Sequence, residues 1–171
     1  MNRDALRNVQ QPLKQRYAEE PEAALVTLTA SGTLDDEIAC NVSTGRALAK
    51  AGLHPATGGD GSLLCSGDML LEALVACAGV TLRAVATALD IDVEGGTITA
   101  DGELDFRGTL AVDRDAPVGF RSIALRFELD APAASEQELA TLLKLTERYC
   151  VVLQTVRCAP PVAATVSATP P

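Results

Sequence analysis

The chain has 171 residues, of which 47% are hydrophobic but only 3% aromatic, and it contains no Trp. This length fits one domain with a sizeable core, which Ala, Val and Leu must supply. The formal charge of −9 argues against nucleic acid or an anionic membrane surface as partner, because both attract clustered Lys and Arg.

The number and spacing of the cysteines are more typical of reactive or buried free thiols than of a disulfide framework. There are five, an odd number, and no two stand in Cys-x-x-Cys spacing. Residues 1–20 carry four basic side chains but no apolar segment of the kind found in a secretory signal. We therefore expect free thiols in a reducing cytoplasm. A single His and scattered cysteines give poor support for zinc, and we expect no metal or other cofactor.

The N-terminal third predicts a helix followed by a β-hairpin. Residues 3–19 have the pattern of a surface helix that ends before a proline. The β-branched alternation of Ala24–Ala30 predicts a strand, Ser31–Asp36 supplies turn residues, and Glu37–Thr44 predicts the second strand. Residues 51–67 are rich in glycine and predict a long ordered loop, a kind of segment that is often functional.

Asp68–Leu89 predicts the dominant helix of the chain. Its only interior charges are Glu72 and Arg83, and a helix of this length would span about 33 Å. That length is compatible with a membrane span, but two interior charges and acidic flanks disfavour one. A helix that is apolar on all sides must instead be covered by a sheet or by a partner chain.

The C-terminal half predicts a β-pair, a helix and a final strand. Strand alternation runs through Glu94–Arg107 and, more clearly, through Phe120–Asp130. Ser135 with Glu138 forms a capping box that opens a helix, and Val162–Ser167 has the pattern of a last strand. The predicted fold class is α+β, an antiparallel sheet wrapped around long central helices.

Two cysteines stand out by position. Cys77 lies in the middle of the apolar helix, and Cys150 lies at the far end of the next long helical segment. A lone buried cysteine commonly behaves as a small hydrophobe, so a core role is open for each. Together they suit peroxide reduction, in which one thiolate is oxidised to a sulfenic acid and a second thiol condenses with it.

The segments around these cysteines resemble the OsmC/Ohr family, the osmotically inducible and organic hydroperoxide resistance proteins. The match rests on Cys65-Ser-Gly-Asp-Met-Leu-Leu-Glu-Ala-Leu-Val-Ala-Cys77-Ala-Gly-Val-Thr-Leu-Arg83 and on Glu147-Arg-Tyr-Cys150-Val-Val-Leu-Gln-Thr155. The first is similar to the family's central helix, and the second to its Cys-Pro-Val segment. The resemblance implies an OsmC-like domain over residues 24–171, an N-terminal helical extension over residues 1–23, and an intertwined homodimer.

The resemblance also implies roles for individual residues. Cys77 would be the peroxidatic thiol and Cys150 the resolving thiol. The family's acidic residue falls closest to Asp68, with Glu72 as the fallback. Nine residues of ideal helix place Asp68 and Cys77 on opposite faces, so their cooperation needs a non-helical start or a second chain. The family's arginine has no counterpart in the hairpin turn, which leaves Arg46 as the candidate to lower the thiolate pKa.

Two further features depart from the family pattern or stay open. Val151 stands where the family has a proline that starts a fresh helix, so the preceding helix is expected to continue through Cys150. His54 lies near the expected pocket, where ordering its loop is favoured over carrying protons. No family role falls on the remaining cysteines, Cys40, Cys65 and Cys158.

The resulting hypothesis is a cofactor-free thiol peroxidase that acts on organic hydroperoxides. A dithiol or lipoyl-type reductant would close its cycle, and its apolar walls would favour alkyl peroxides. The competing hypothesis is a catalytically weak protein of the same fold that binds an apolar ligand or a protein partner.

Overall fold

The computed structural model describes residues 3–34, 40–42 and 51–166. Nine helices and strands follow one another within these residues, joined in part by short 3₁₀ turns at Pro21–Ala24 and Pro55–Thr57. In chain order they are α1 Arg3–Glu19, β1 Leu25–Leu34, β2 Cys40–Val42, α2 Ser66–Leu89, β3 Gly95–Asp105, α3 Phe106–Thr109, β4 Phe120–Asp130, α4 Glu136–Tyr149 and α5 Val151–Arg157.

The four strands form one antiparallel sheet in the order β2-β1-β3-β4. The long pairing of β1 with β3 runs from Leu25 opposite Asp105 to Thr33 opposite Thr97. β3 then pairs with β4 along nearly its whole length, with one irregularity between Glu103 and Leu104. The predicted α+β class with an antiparallel sheet is therefore confirmed.

Helix α2 forms the centre of the core. Its buried side chains recur at helical spacing and pack against the sheet, α4 and α5; they are Leu71, Leu74, Val75, Ala78, Leu82 and Ala86. Ile98 of β3 and Leu142 of α4 complete this cluster, and both are fully buried. Among the described helices, α2 is long and apolar enough to cross a membrane by length and composition alone. A soluble core helix has the same properties, and the packing of α2 is that of a core helix.

One face of α2 is not covered by its own chain. Leu70 and Val80 are about 40% exposed, at 40% and 41%, and Ala73 and Ala84 are exposed on the same face. Their spacing of three and four residues makes a continuous stripe, and Cys77 lies in its middle. Within one protomer the sheet, α4 and α5 therefore cover only part of α2, and coverage of the remaining face by a partner chain stays a prediction.

A second, smaller cluster joins α1 to the domain. Tyr17 is 3% exposed and packs with Ala24, Phe106 and Leu110. Its hydroxyl donates a 2.7 Å hydrogen bond to the carbonyl of Ala56. Helix α1 therefore contacts the loop before α2, while the division of the chain at residue 23 stays a prediction.

Three local predictions are wrong. The turn residues Ser31–Leu34 belong to β1, because ladder pairing with Thr97–Thr99 on one side and with Cys40–Val42 on the other outweighs local turn preference. The rest of that turn, residues 35–39, lies outside the described residues. The predicted last strand is absent over residues 162–166, for which no secondary structure is assigned. The helix from Ser135 does not continue through Cys150.

Candidate active site

The two cysteines singled out by sequence lie at the contact between α2 and the α4–α5 junction. Cys77 is half-buried on α2, and Cys150 is fully buried in the main core cluster. Both are free thiols. They are close enough for the Cys150 thiol to donate a hydrogen bond to the Cys77 sulfur. The structure thus brings together the two residues that the resemblance paired.

A sharp break at Cys150 creates this geometry. The amide of Cys150 still donates to the Thr146 carbonyl at 2.9 Å, but its ψ of 107° turns the chain out of α4. α5 begins at the next residue, without a proline. The break is held from the far side, because the Gln154 side chain donates to the Glu147 carbonyl at 2.7 Å and Arg157 pairs with the Glu147 carboxylate at 3.0 Å.

The break directs peptide N–H groups at the Cys77 sulfur. Partial burial by itself raises the pKa of this thiol, since it disfavours the charged form. Hydrogen bonds from the Val152 amide, the Cys150 thiol, the Thr81 hydroxyl and the Val151 amide outweigh it and lower the pKa of Cys77 below its ordinary value. Four donors on one sulfur favour the thiolate, which is the reactive form.

The pKa of Cys150 moves in the opposite direction, to about 11. Burial is the main cause, and the neighbouring Cys77 adds to it, because a protonated Cys150 can donate to the Cys77 thiolate. The Val152 and Leu153 amides act in the other direction with a smaller effect. Opposite pKa shifts distinguish the two thiols of this contacting pair: the lowered pKa of Cys77 favours its thiolate, and the raised pKa of Cys150 favours its protonated form.

Asp68 is not brought to this pair within one protomer. α2 is regular from Ser66 onward, so nine residues separate Asp68 from Cys77 by about 13 Å along the helix axis. The pKa of Asp68 is raised by burial, an effect that the nearby His54 partly offsets. A non-helical start at Asp68 is excluded, and only a second chain can bring this carboxylate to the thiols. Glu72, the fallback, is half-buried on the same helix.

The other residues that the sequence analysis singled out either do not contact the thiol pair or lie outside the described residues. Arg46 lies outside the described residues. His54 accepts a 3.0 Å hydrogen bond from the Ala56 amide and stacks on Phe106 with ring centroids 5.0 Å apart. These contacts agree with the loop-ordering interpretation of His54. Cys65 precedes α2 and packs on the core, and Cys158 is exposed at the end of α5.

An apolar cavity of about 740 Å³ opens between β4, α2, α4 and α5. Its walls include Leu74, one helical turn before Cys77, and Leu153, one turn after Cys150. Phe120 and Phe127 of β4 form the opposite wall, and Arg121 lies at the same cavity. This volume suits a small organic molecule. The inner wall of the cavity lies within one helical turn of Cys77 on α2 and of Cys150 at the start of α5.

Sequence reasoning missed three groups of the site: the Thr81 hydroxyl and the amides of Val151 and Val152. Thr81 had a readable signal, because a hydroxyl four residues after a helical cysteine lies on the same face. The sequence prediction considered only that Val151 replaces the family's proline. Unlike a proline, Val151 has a backbone N–H that can donate a hydrogen bond.

Comparisons with known proteins identify the family and the fold of the chain. A family model described as OsmC-like protein matches residues 59–165. A crystal structure of an OsmC-like hydroperoxide resistance protein from Jannaschia sp. CCS1 superposes with a TM-score of 0.62 at 17% sequence identity, covering 85% of this chain and 95% of that one. No curated protein matches the sequence.

The structure is an α+β domain in which two free cysteines meet where the central helix α2 contacts the α4–α5 junction. Because the family model covers more than half of the chain, the chain belongs to the OsmC-like family. The Jannaschia structure, at 17% identity, shows that the two share a fold.

Proposed function

We propose that this protein is a thiol peroxidase that reduces organic hydroperoxides with Cys77 and Cys150. The observation that carries the proposal is the contact between these thiols, with the pKa of Cys77 lowered and that of Cys150 raised to about 11. A hydroperoxide resistance protein with the same fold supports this chemistry.

The reaction balances with the groups at hand. The Cys77 thiolate attacks the terminal oxygen of R–O–O–H and the O–O bond breaks. Cys77 becomes a sulfenic acid, and the alkoxide takes a proton from water and leaves as the alcohol. Cys150 then attacks the Cys77 sulfur, releasing water and forming a disulfide. Once Cys77 is oxidised, its negative charge no longer raises the pKa of Cys150, so the resolving thiol ionises more readily. A dithiol, of which a lipoyl-type carrier is one, reduces the disulfide by exchange.

The uncovered stripe on α2 supports a homodimer as the working form. Cys77 lies between Ala73 and Val80 on this exposed apolar face, and contiguous exposed apolar surface typically marks an interface. A second copy packed here would place the thiol at a subunit boundary. The same packing would allow Asp68 or Arg46 of a partner chain to reach the thiols.

The expected location of the protein is the reducing cytoplasm, which keeps both thiols free.

The test is turnover of an alkyl hydroperoxide with a dithiol reductant. Wild type should consume cumene hydroperoxide faster than hydrogen peroxide, because the cavity beside the thiols is apolar. Cys77→Ser should abolish turnover, and Cys150→Ser should lose turnover with dithiol while still reacting once. Consumption by Cys77→Ser at the wild-type rate would refute the proposal.

The cavity favours a second candidate, a protein that binds an apolar ligand without reducing peroxides. Such a protein would bind a fluorescent fatty acyl probe in the cavity, and Leu143→Glu, which places a charge on a partly exposed part of the cavity wall, should abolish that binding. Its thiols would stay reduced after peroxide treatment. The oxidation state of Cys77 therefore separates the two candidates.

A further inference from the structure

A hydroxyl group is buried without a partner one helical turn before Cys150. Thr146 of α4 is 0% exposed, and its Oγ1 has no hydrogen-bond partner within the described residues. Among the side chains that the structure describes, Nε of Arg83 is the other such atom, but that guanidinium donates through Nη1 to the Val93 carbonyl. Burying an unpaired hydroxyl destabilises a fold, so packing alone does not explain Thr146.

Thr146 also lacks the bond that a threonine commonly makes inside a helix. Thr141 on the same helix donates to the Gln137 carbonyl, four residues earlier, at 2.8 Å. Thr146 does not make the corresponding bond to the Leu142 carbonyl, although both residues lie within the described helix. Threonine adopts two side-chain rotamers in helices, so this hydroxyl is able to turn toward another acceptor.

The sulfur of Cys150 is a suitable acceptor. Cys150 closes the last turn of α4, since its amide donates to the Thr146 carbonyl at 2.9 Å. Residues four apart on a helix lie on one face, with about 5–6 Å between their Cβ atoms. Both side chains are 0% exposed, so bulk solvent does not stabilise a charge on this sulfur. In the reduced protein Cys150 is a thiol that donates to Cys77, and it needs no donor of its own.

The need for a donor arises when Cys150 resolves the oxidised Cys77. In this step the Cys150 S–H bond breaks, the electron pair on its sulfur forms the S–S bond, and the S–O bond of the Cys77 sulfenic acid breaks. The departing hydroxide takes the proton and leaves as water. Negative charge develops on a buried sulfur, which burial disfavours, and a hydrogen bond to a charged atom is stronger than one to a neutral atom.

We propose that the Thr146 hydroxyl turns to donate a hydrogen bond to the Cys150 sulfur during resolution, and so stabilises the thiolate that attacks Cys77. Thr146 keeps its proton throughout, so it adds no reactant to the step. The hydroxyl destabilises the reduced fold but accelerates the step that follows oxidation, which accounts for a threonine at a buried position where valine has nearly the same shape. This inference rests on the proposed peroxidase activity.

The test separates the two chemical steps in Thr146→Val and Thr146→Ser. Valine keeps the shape of the side chain and removes the hydroxyl, whereas serine keeps the hydroxyl. Each protein receives one equivalent of cumene hydroperoxide, and samples quenched with acid over time are analysed by peptide mass spectrometry. Loss of the Cys77 thiol reports the first step, and the disulfide between Cys77 and Cys150 reports resolution.

Thr146→Val should oxidise Cys77 at the wild-type rate but form the disulfide about 3- to 10-fold more slowly. Losing the donor raises the pKa of the attacking thiol by about one to two units, which lowers its thiolate fraction more than it raises its nucleophilicity. With excess peroxide, this variant should also accumulate sulfinic acid at Cys77. Its urea midpoint should exceed that of wild type, because the unpaired hydroxyl is gone. Thr146→Ser should form the disulfide at the wild-type rate.

Disulfide formation at the wild-type rate in Thr146→Val would overturn the inference and leave the proposed function standing. So would a lower urea midpoint for that variant, because the hydroxyl would then be paired in the reduced protein. Equally slow disulfide formation in Thr146→Val and Thr146→Ser would assign the effect to packing and overturn it as well. If Cys77 of wild type does not react with the hydroperoxide, the proposed function fails and this inference fails with it.

Discussion

The most informative perturbation is Val151→Pro, which removes one N–H from the Cys77 site and little else. Val151 is the first residue of α5, where proline is well tolerated. Cys150 before it already has φ −69° and ψ 107°, an extended conformation that a following proline favours. The substitution therefore fits the backbone as it stands, and Val151→Ala is the matched control that keeps the N–H.

The magnitude follows from the hydrogen bond that is lost. A bond to a charged group contributes about 1.5–3 kcal/mol, and one pKa unit corresponds to about 1.4 kcal/mol. Val151 has the smallest effect of the four donors on Cys77, and its side chain is 70% exposed, so water replaces part of the loss. Removing a donor to the thiolate should raise the pKa of Cys77, here by about 0.5–1 unit.

The assay is the pH dependence of iodoacetamide alkylation, read at the Cys77 peptide by mass spectrometry so that the other cysteines do not interfere. Val151→Pro should shift the Cys77 curve to higher pH, and Val151→Ala should follow wild type. If the proline and alanine variants titrate together, the amide of Val151 does not stabilise the thiolate, and the description of the site is wrong.

Three further predictions follow from single contacts. Thr81→Val should raise the pKa of Cys77 by about 0.5–1 unit, whereas Thr81→Ser should leave it unchanged, by the same alkylation assay. The raised pKa of Cys150 stabilises the fold fully below its unfolded value near 9 and is lost as pH rises through about 11. Urea unfolding should therefore show a steeper loss of stability from pH 8.5 to 10.5 for wild type than for Cys150→Ser. Asp105 is 2% exposed and its carboxylate accepts from Arg107 at 2.6 Å. Asp105→Asn should cost about 1.5–3 kcal/mol of unfolding free energy at neutral pH; an unchanged urea midpoint would contradict it.

Sequence patterns predicted the elements whose signals are local. Phe120–Asp130 has the predicted bounds, because its alternation of apolar and polar residues corresponds to one half-buried and one exposed face. The capping box at Ser135 is present with both of its hydrogen bonds. The central helix was predicted within two residues of its start at Ser66. Each of these signals lies within a few neighbouring residues.

The remaining features depend on contacts between distant segments. Ser31 and Gly32 have turn propensity, yet pairing with strands on both sides makes them part of β1. No proline in the sequence indicates the helix break at Cys150. The break is stabilised by contacts of Gln154 and Arg157, which lie in the following helix. The amides that reach Cys77 come from this break. No pattern within either helix alone could show that they meet.

Peptide mass analysis without reduction, after one equivalent of alkyl hydroperoxide, tests directly whether Cys77 and Cys150 react as a pair. We expect a disulfide between Cys77 and Cys150, with no such product in Cys77→Ser and a trapped sulfenic acid at Cys77 in Cys150→Ser. Cys77 and Cys150 that both stay reduced, or oxidation confined to the exposed Cys158, would contradict it.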